Sequence, residues 1–255
     1  MKLHFQKSGE GPPVILLHGL LGSLQNWQHT ARQLSKDFTV LALDLRNHGR
    51  SSHADEFSYP ALTGDLLEFL ADQQFELASL VGHSLGGKVA MHFALLHPAR
   101  VTKLVVVDIA PKAYPPRHEN TLASLLALDL AGARTREDLD AMLAPSVADR
   151  GLRQYLLKNA QRNELGGFRW RANLPALHAN YEQLREAMPR NHPANTPALF
   201  IRGGRSRYVL DEDCAQLTRW FSRAEVQTIA DAGHWVPTDA PEEFVETVRA
   251  FLKRA

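Results

Sequence analysis

The chain has 255 residues, 44% of them hydrophobic, enough to bury one sizeable core without splitting into separate domains. Its 29 Lys and Arg stand against 28 Asp and Glu, a formal net charge of +1, so no global field recruits nucleic acid or an anionic membrane surface. A single cysteine, Cys214, excludes an internal disulfide and any cysteine-based zinc site.

The opening stretch Met1-Lys2-Leu3-His4-Phe5-Gln6-Lys7 carries no long apolar segment, and the first apolar run is too short for a signal-peptide core or a membrane span. A cytoplasmic location is the default expectation. Residues 3–5 predict an edge strand. The run Val14-Ile15-Leu16-Leu17 reads as a buried strand and passes at once into His18-Gly19-Leu20-Leu21-Gly22-Ser23. A second strand over 39–43 leads into Asp44-Leu45-Arg46-Asn47-His48-Gly49-Arg50-Ser51. Asp44 and Arg46 are expected to pair and pin a turn there, with Gly49-Arg50-Ser51 opening the next helix.

The third strand, 77–81, breaks into Gly82-His83-Ser84-Leu85-Gly86. A serine hydroxyl is a weak nucleophile at neutral pH and must project from a sharp turn toward a base. Glycine two residues before and two after leaves room for such a backbone, so Ser84 is the candidate nucleophile. Residues 85–96 follow as a helix with Val89, Phe93 and Leu96 on one face, ended by His97-Pro98. The same residues approach a phosphate loop, Gly82-x-x-x-x-Gly87-Lys88, but Val89 stands where a hydroxyl is required for magnesium. Lys88 is then expected to be a solvated helix residue. The next strand, 101–107, terminates at Asp108.

From Asp108 to Pro197 the alternation of strand and helix stops. Residues 121–131, 135–143, 151–161 and 174–188 each space leucines or alanines as helices do. The expected organisation is a core of 1–110 and 195–255 with a helical cap of 111–194 roofing the serine. Leu125, Leu156 and Trp170 are candidates to line an acyl pocket. The cap holds 12 Lys and Arg against 9 Asp and Glu, a small excess that suits an anionic substrate such as a CoA ester. Beyond it, a strand over 198–202 runs into Gly203-Gly204-Arg205-Ser206-Arg207, and Asp211-Glu212-Asp213 reads as a helix start. A strand over 225–229 precedes Ala232-Gly233-His234-Trp235, and a closing helix spans 241–252. Strands alternating with helices predict a parallel sheet covered on both faces. Among 12 histidines, His234 has the position of a general base, whereas His18, His48 and His83 are expected to shape loops.

The elbow around Ser84, the His18-Gly19 loop and the Asp-x-Arg-x-x-Gly-x-Ser run from Asp44 to Ser51 together resemble the α/β-hydrolase superfamily, over residues 14–108 and 198–252. Asn47-His48, His-Gly-Leu-Leu-Gly-Ser and Trp170-Arg171-Ala172-Asn173-Leu174-Pro175 narrow the resemblance to the YbfF-like esterases. That resemblance implies a mostly parallel central sheet with an inserted cap, and hydrolysis of a small-molecule carboxylic ester or acyl-CoA thioester through an acyl-enzyme on Ser84. It implies His234 as base, the Leu20 and Leu85 backbone N–H groups as oxyanion hole, and no metal or cofactor. The acid is the least conventional element. Its usual place, after the penultimate core strand, holds Ser206, and a neutral hydroxyl cannot stabilise an imidazolium. Asp108 is the expected source of the charge, as in some members of the fold including YbfF-like esterases, with Asp211 and Asp231 as alternatives and Ser206 as a tuning residue. Ser84 argues against dehalogenase-like enzymes, which use an aspartate nucleophile. Perhydrolases and carbon–carbon bond hydrolases keep the serine and stay open, as does a non-catalytic ligand-binding relative.

Overall fold

Short runs of Val, Leu and Ile that are apolar on both faces can only be satisfied inside a sheet covered on both sides. In the computed structural model, which describes residues 1–164, 166–189 and 193–254, these runs become strands β2 (Pro13–Leu17), β3 (Thr39–Leu43), β4 (Ala78–His83) and β5 (Val101–Val107). The edge strand β1 is Phe5–Ser8, displaced by a few residues from the expected 3–5, and lies antiparallel to β3. After the chain returns to the sheet, β8 (Ala198–Gly203) and β9 (Ala224–Ile229) extend it. The seven strands run in the order β1-β3-β2-β4-β5-β8-β9, and every pairing except that of β1 is parallel.

Alternate residues of the central strands feed two cores. Ile15, Leu17, Leu80, Leu104 and Val106 pack on one face with Leu66 of α2 (Tyr59–Asp72) and Val89 and Phe93 of α3 (Leu85–Leu96). Val14, Leu16, Val81, Val105 and Val107 pack on the other with Leu34 of α1 (Gln28–Leu34) and Phe244 and Val248 of the closing helix Pro241–Lys253. Among the described residues no helix is long and apolar enough to cross a membrane.

From β2 the chain passes to β3 on one side and then crosses over through α2 to β4 on the other, so a crevice opens at the carboxyl ends of β2 and β4. Register then decides what meets there. Leu17 pairs with Gly82, His83 with Val107, and Val107 with Ile201, which brings the residues following β2, β4, β5 and β8 to one level.

Between β5 and β8 lie α4 (Glu119–Leu126), α5 (Arg136–Leu143), α6 (Arg150–Leu157), α7 (Leu174–Ala179) and α8 (Tyr181–Leu184). Two sequence expectations are corrected here. A two-stranded hairpin, β6 (Ala160–Arg162) and β7 (Phe168–Trp170), stands in a cap expected to be helical, taking the end of the expected helix 151–161 and the stretch before 174–188. Its turn uses Gly166 at φ +85°, a conformation open to glycine, and Asn163 N–H donates to Gly167 O at 2.9 Å. The expected helix over 174–188 is broken at Asn180, whose side chain donates to Asp55 O at 2.8 Å, and so is anchored to the sheet-side loops.

The loop after β3 is also built otherwise than expected. Asp44 and Arg46 do not pair. Asp44 accepts the Leu24 and Arg50 amides at 2.7 and 2.9 Å, while Arg46 forks onto Asp65 of α2 at 2.5 and 2.8 Å. Nor do Gly49-Arg50-Ser51 open a helix: α2 starts at Tyr59, capped by the Ser58 hydroxyl. A carboxylate that satisfies two orphan amides and an arginine that takes a bidentate partner on a helix each gain more than a strained pairing two residues apart.

Candidate active site

Ser84 sits between β4 and α3 at φ +52°, ψ −115°, a conformation side chains rarely adopt. Its amide is tied to Val107 O at 3.0 Å. The two flanking glycines are required by contact: a Cβ on Gly82 would lie 2.2 Å from Gly86 O, and one on Gly86 2.2 Å from Leu17 O. The turn therefore closes only with glycine at both positions.

Facing it, His234 Nε2 lies 3.2 Å from Ser84 Oγ, and its Nδ1 lies 2.8 Å from Asp108 Oδ2. Asp108 is fully buried and, like Ser84, has positive φ, +49°, because its amide must reach Ile201 O at 2.8 Å while the carboxylate turns toward the histidine. Its Oδ1 accepts the Gly203 amide at 3.1 Å, and its Oδ2 also accepts the Ser206 hydroxyl. Ser206 Oγ in turn accepts the Tyr208 amide at 3.1 Å. The two alternative acids point elsewhere: Asp211 pairs with Arg202 at 2.6 Å with its side chain 91% exposed, and the Asp231 side chain faces solvent beside Arg205.

Two rings clamp His234. Tyr208 stacks on it with centroids 3.7 Å apart and planes 15° from parallel, and His83, whose Nε2–H donates to His234 O at 2.8 Å, lies behind. No sequence signal marked Tyr208.

The Leu20 amide belongs to a loop fixed from below and above. Leu45 N–H donates to His18 Nε2 at 3.0 Å and Leu21 N–H to His48 Nε2 at 3.1 Å, so both rings accept at Nε2 and carry their proton at Nδ1. From α6 and its end, Tyr155 O–H donates to Leu20 O at 2.9 Å and Asn159 Nδ2 to Leu21 O at 2.6 Å. With their carbonyls engaged, these peptide units have a set direction. Leu85 opens α3, where first-turn N–H groups have no carbonyl inside the helix.

Lys88 corrects the expectation of a solvated side chain: it is 2% exposed, one turn past Ser84. Its position four residues after the serine, within an apolar helix, was the available clue. Two clefts flank Ser84. One, of about 60 Å³, runs past Leu85 and Lys88 toward Tyr59 and Tyr114. The other, of about 40 Å³, runs past Leu21, Leu152, Leu156 and Trp235. His118 borders both. Of the three apolar residues expected at a pocket, only Leu156 reaches these clefts: Leu125 is buried in the core, and Trp170 donates its indole N–H to Leu125 O at 3.1 Å. A larger hollow of about 290 Å³ between Phe5, Ser23, Arg50 and Arg171 includes none of the residues around Ser84.

Burial pushes His18 down to about 4 and both His48 and His83 down to about 3, from an ordinary value of 6.5. All three stay neutral in the fold, whereas the unfolded chain binds their protons below its ordinary value. The stability they contribute is therefore complete above pH 6.5 and is lost as pH falls toward 3–4, on the order of 2 kcal/mol per histidine by pH 5. The unfolding midpoint is expected to drop steadily from pH 7 to pH 5; a flat profile would mean these rings are protonated at no cost.

Comparison with known proteins places the chain in a family. The family model described as alpha/beta hydrolase fold matches residues 12–241. Esterase YbfF of Escherichia coli is 37% identical over 250 residues, covering 97% of this chain and 95% of that one. The sn-1-specific diacylglycerol lipase ABHD11 of Xenopus tropicalis is 37% identical over 259 residues, covering 98% and 81%. A solved marine microorganism esterase superposes with a TM-score of 0.95 at 39% identity, covering 98% and 99%. By family match, by near full-length identity and by the sheet described above, the chain belongs to the alpha/beta hydrolase fold family and is a hydrolytic enzyme.

Proposed function

We propose that the protein is a serine esterase acting on small-molecule carboxylic esters and acyl-CoA thioesters, with residues 111–194 serving as a cap that shapes acyl selectivity. The observation that carries this reading is the continuous chain from Ser84 Oγ through His234 to Asp108, at 3.2 and 2.8 Å. Ser84 Oγ attacks the scissile carbonyl as His234 Nε2 takes its proton, and Asp108 stabilises the imidazolium through Nδ1–H. The Leu20 and Leu85 N–H groups receive the negative charge on the carbonyl oxygen. Collapse of the tetrahedral intermediate expels the alcohol or thiol, protonated by His234, and leaves the acyl group on Ser84. His234 then deprotonates a water that attacks this ester and frees the acid. The names of the relatives, an esterase and a diacylglycerol lipase, support ester chemistry, and the excess of basic residues in 111–194 supports an anionic leaving group such as CoA.

Matched nitrophenyl esters and CoA thioesters of increasing acyl length test it. Turnover of both series is expected, with preference set by the cleft at Leu156. Leu156→Ala should move the optimum to longer chains by roughly 10-fold in relative kcat/KM, the worth of about one or two methylenes in a pocket. Equal loss at every length would assign Leu156 to packing alone, and failure of wild type on every ester would overturn the esterase reading.

A further inference from the structure

Burying an ammonium is unfavourable unless its donors and its charge are both answered. Lys88 Nζ has three N–H donors and uses one, to Glu186 O at 2.5 Å. It stands over the Tyr59 and Tyr114 rings at 5.9 and 5.3 Å, whose hydroxyls are committed to Leu184 O and Tyr208 O. Among the described residues no carboxylate reaches ion-pair distance of Nζ; the compensating charge is the exposed, more distant Glu186. Burial without a close counter-ion pushes Lys88 down to about 8.

A second cation borders the same cleft. Arg185 donates through Nη1 to Tyr114 O at 3.2 Å and pairs through Nη2 with Glu182, yet its Nε is buried with no partner among the described residues. Among the described residues no acidic side chain lines this cleft, which opens directly on Ser84. A purely structural role for Lys88, tying α3 to the main chain at Glu186, needs one N–H and accounts for neither the orphaned Arg185 Nε nor the acid-free lining.

We propose that the cleft between Ser84, Lys88 and Arg185 recognises a carboxylate carried by the substrate, close to the scissile carbonyl. The inference rests on the esterase reading. A carboxylate accepts from two directions at once, and so supplies both the missing charge and acceptors for the idle donors. A cleft of about 60 Å³ restricts the group to a short one.

Three esters of similar size decide it: ethyl butyrate, monoethyl succinate with the carboxylate on the acyl side, and the butyrate ester of glycolic acid with it on the leaving side. Wild type is expected to favour one of the two carboxylated esters over ethyl butyrate by about 10-fold or more in kcat/KM, and which one assigns the cleft to acyl or leaving group. The ratio should fall to about one in Lys88→Met and be partly restored in Lys88→Arg. Should Lys88→Met not fold, Arg185→Gln is expected to lower the same ratio. A wild-type ratio of one or less for both carboxylated esters, or a ratio that neither substitution moves, would overturn the proposal. If wild type cleaves none of the three, binding replaces turnover as the readout, and the esterase reading itself falls only if the nitrophenyl and CoA esters are left intact as well. Calorimetric binding of succinate, weakened about 10-fold by Lys88→Met, then still decides the carboxylate site, and its absence overturns it.

Discussion

Ser84→Ala is expected to lower kcat by about 10⁶ and to abolish covalent labelling by a fluorophosphonate, read by intact mass. The argument is geometric. Ser84 is held at φ +52° by a turn that closes only over Gly82 and Gly86, which aims Oγ at His234 Nε2, 3.2 Å away. Alanine keeps the turn and removes the oxygen that faces His234 and that the proposed mechanism acylates. His234→Ala should be nearly as damaging, because serine and base act as a unit and the loss of either leaves only oxyanion stabilisation and binding. Full-strength labelling of Ser84→Ala, or a wild-type rate and pH profile in His234→Ala, would end this mechanism.

Asp108→Asn should cost about 10⁴ in kcat with the fold intact. Asp108 Oδ2 receives both His234 Nδ1–H and the Ser206 hydroxyl, and Oδ1 the Gly203 amide. An asparagine keeps the shape but presents either an N–H to the ring, forcing the wrong tautomer, or a neutral oxygen unable to stabilise imidazolium. Ser206→Ala removes one of three donors to the carboxylate and should cost far less, about 10-fold. Asp211→Asn should leave kcat near wild type, since that carboxylate pairs with Arg202 in solvent. The comparison of the three variants is the measurement. Near-normal turnover in folded Asp108→Asn, or a large loss in Asp211→Asn instead, would move the acid elsewhere.

Much of the fold was legible because its causes are local. Strands buried on both faces must read as unbroken apolar runs, which located 39–43 and 101–107 to the residue and the other core strands within a residue or two. Backbone clash at Gly82 and Gly86 involves atoms a few residues away in the chain or in the adjoining strand, so the elbow shows as a motif. What depends on which strand ends meet does not show in this way. Asp108 and Ser206 both follow core strands. Only the register of β4, β5 and β8, with the positive φ at Asp108, decides that the carboxylate faces His234 while the hydroxyl sits behind it. The partner of Arg46 is likewise a matter of packing: Asp65 lies nineteen residues away on α2 and was chosen over the adjacent Asp44. The burial of Lys88 does not show in the sequence because helical periodicity gives a side chain's direction along the helix but not what covers it. Here the covering comes from Tyr114 and Glu186, which only tertiary contact brings over α3. Sequence alone thus determined the core strands and the strained turn, which burial on both faces and short-range sterics dictate. The contact of His234 with Asp108 and the burial of Lys88 beneath Glu186 were decided by tertiary structure, because they join residues that the chain itself keeps about a hundred positions apart.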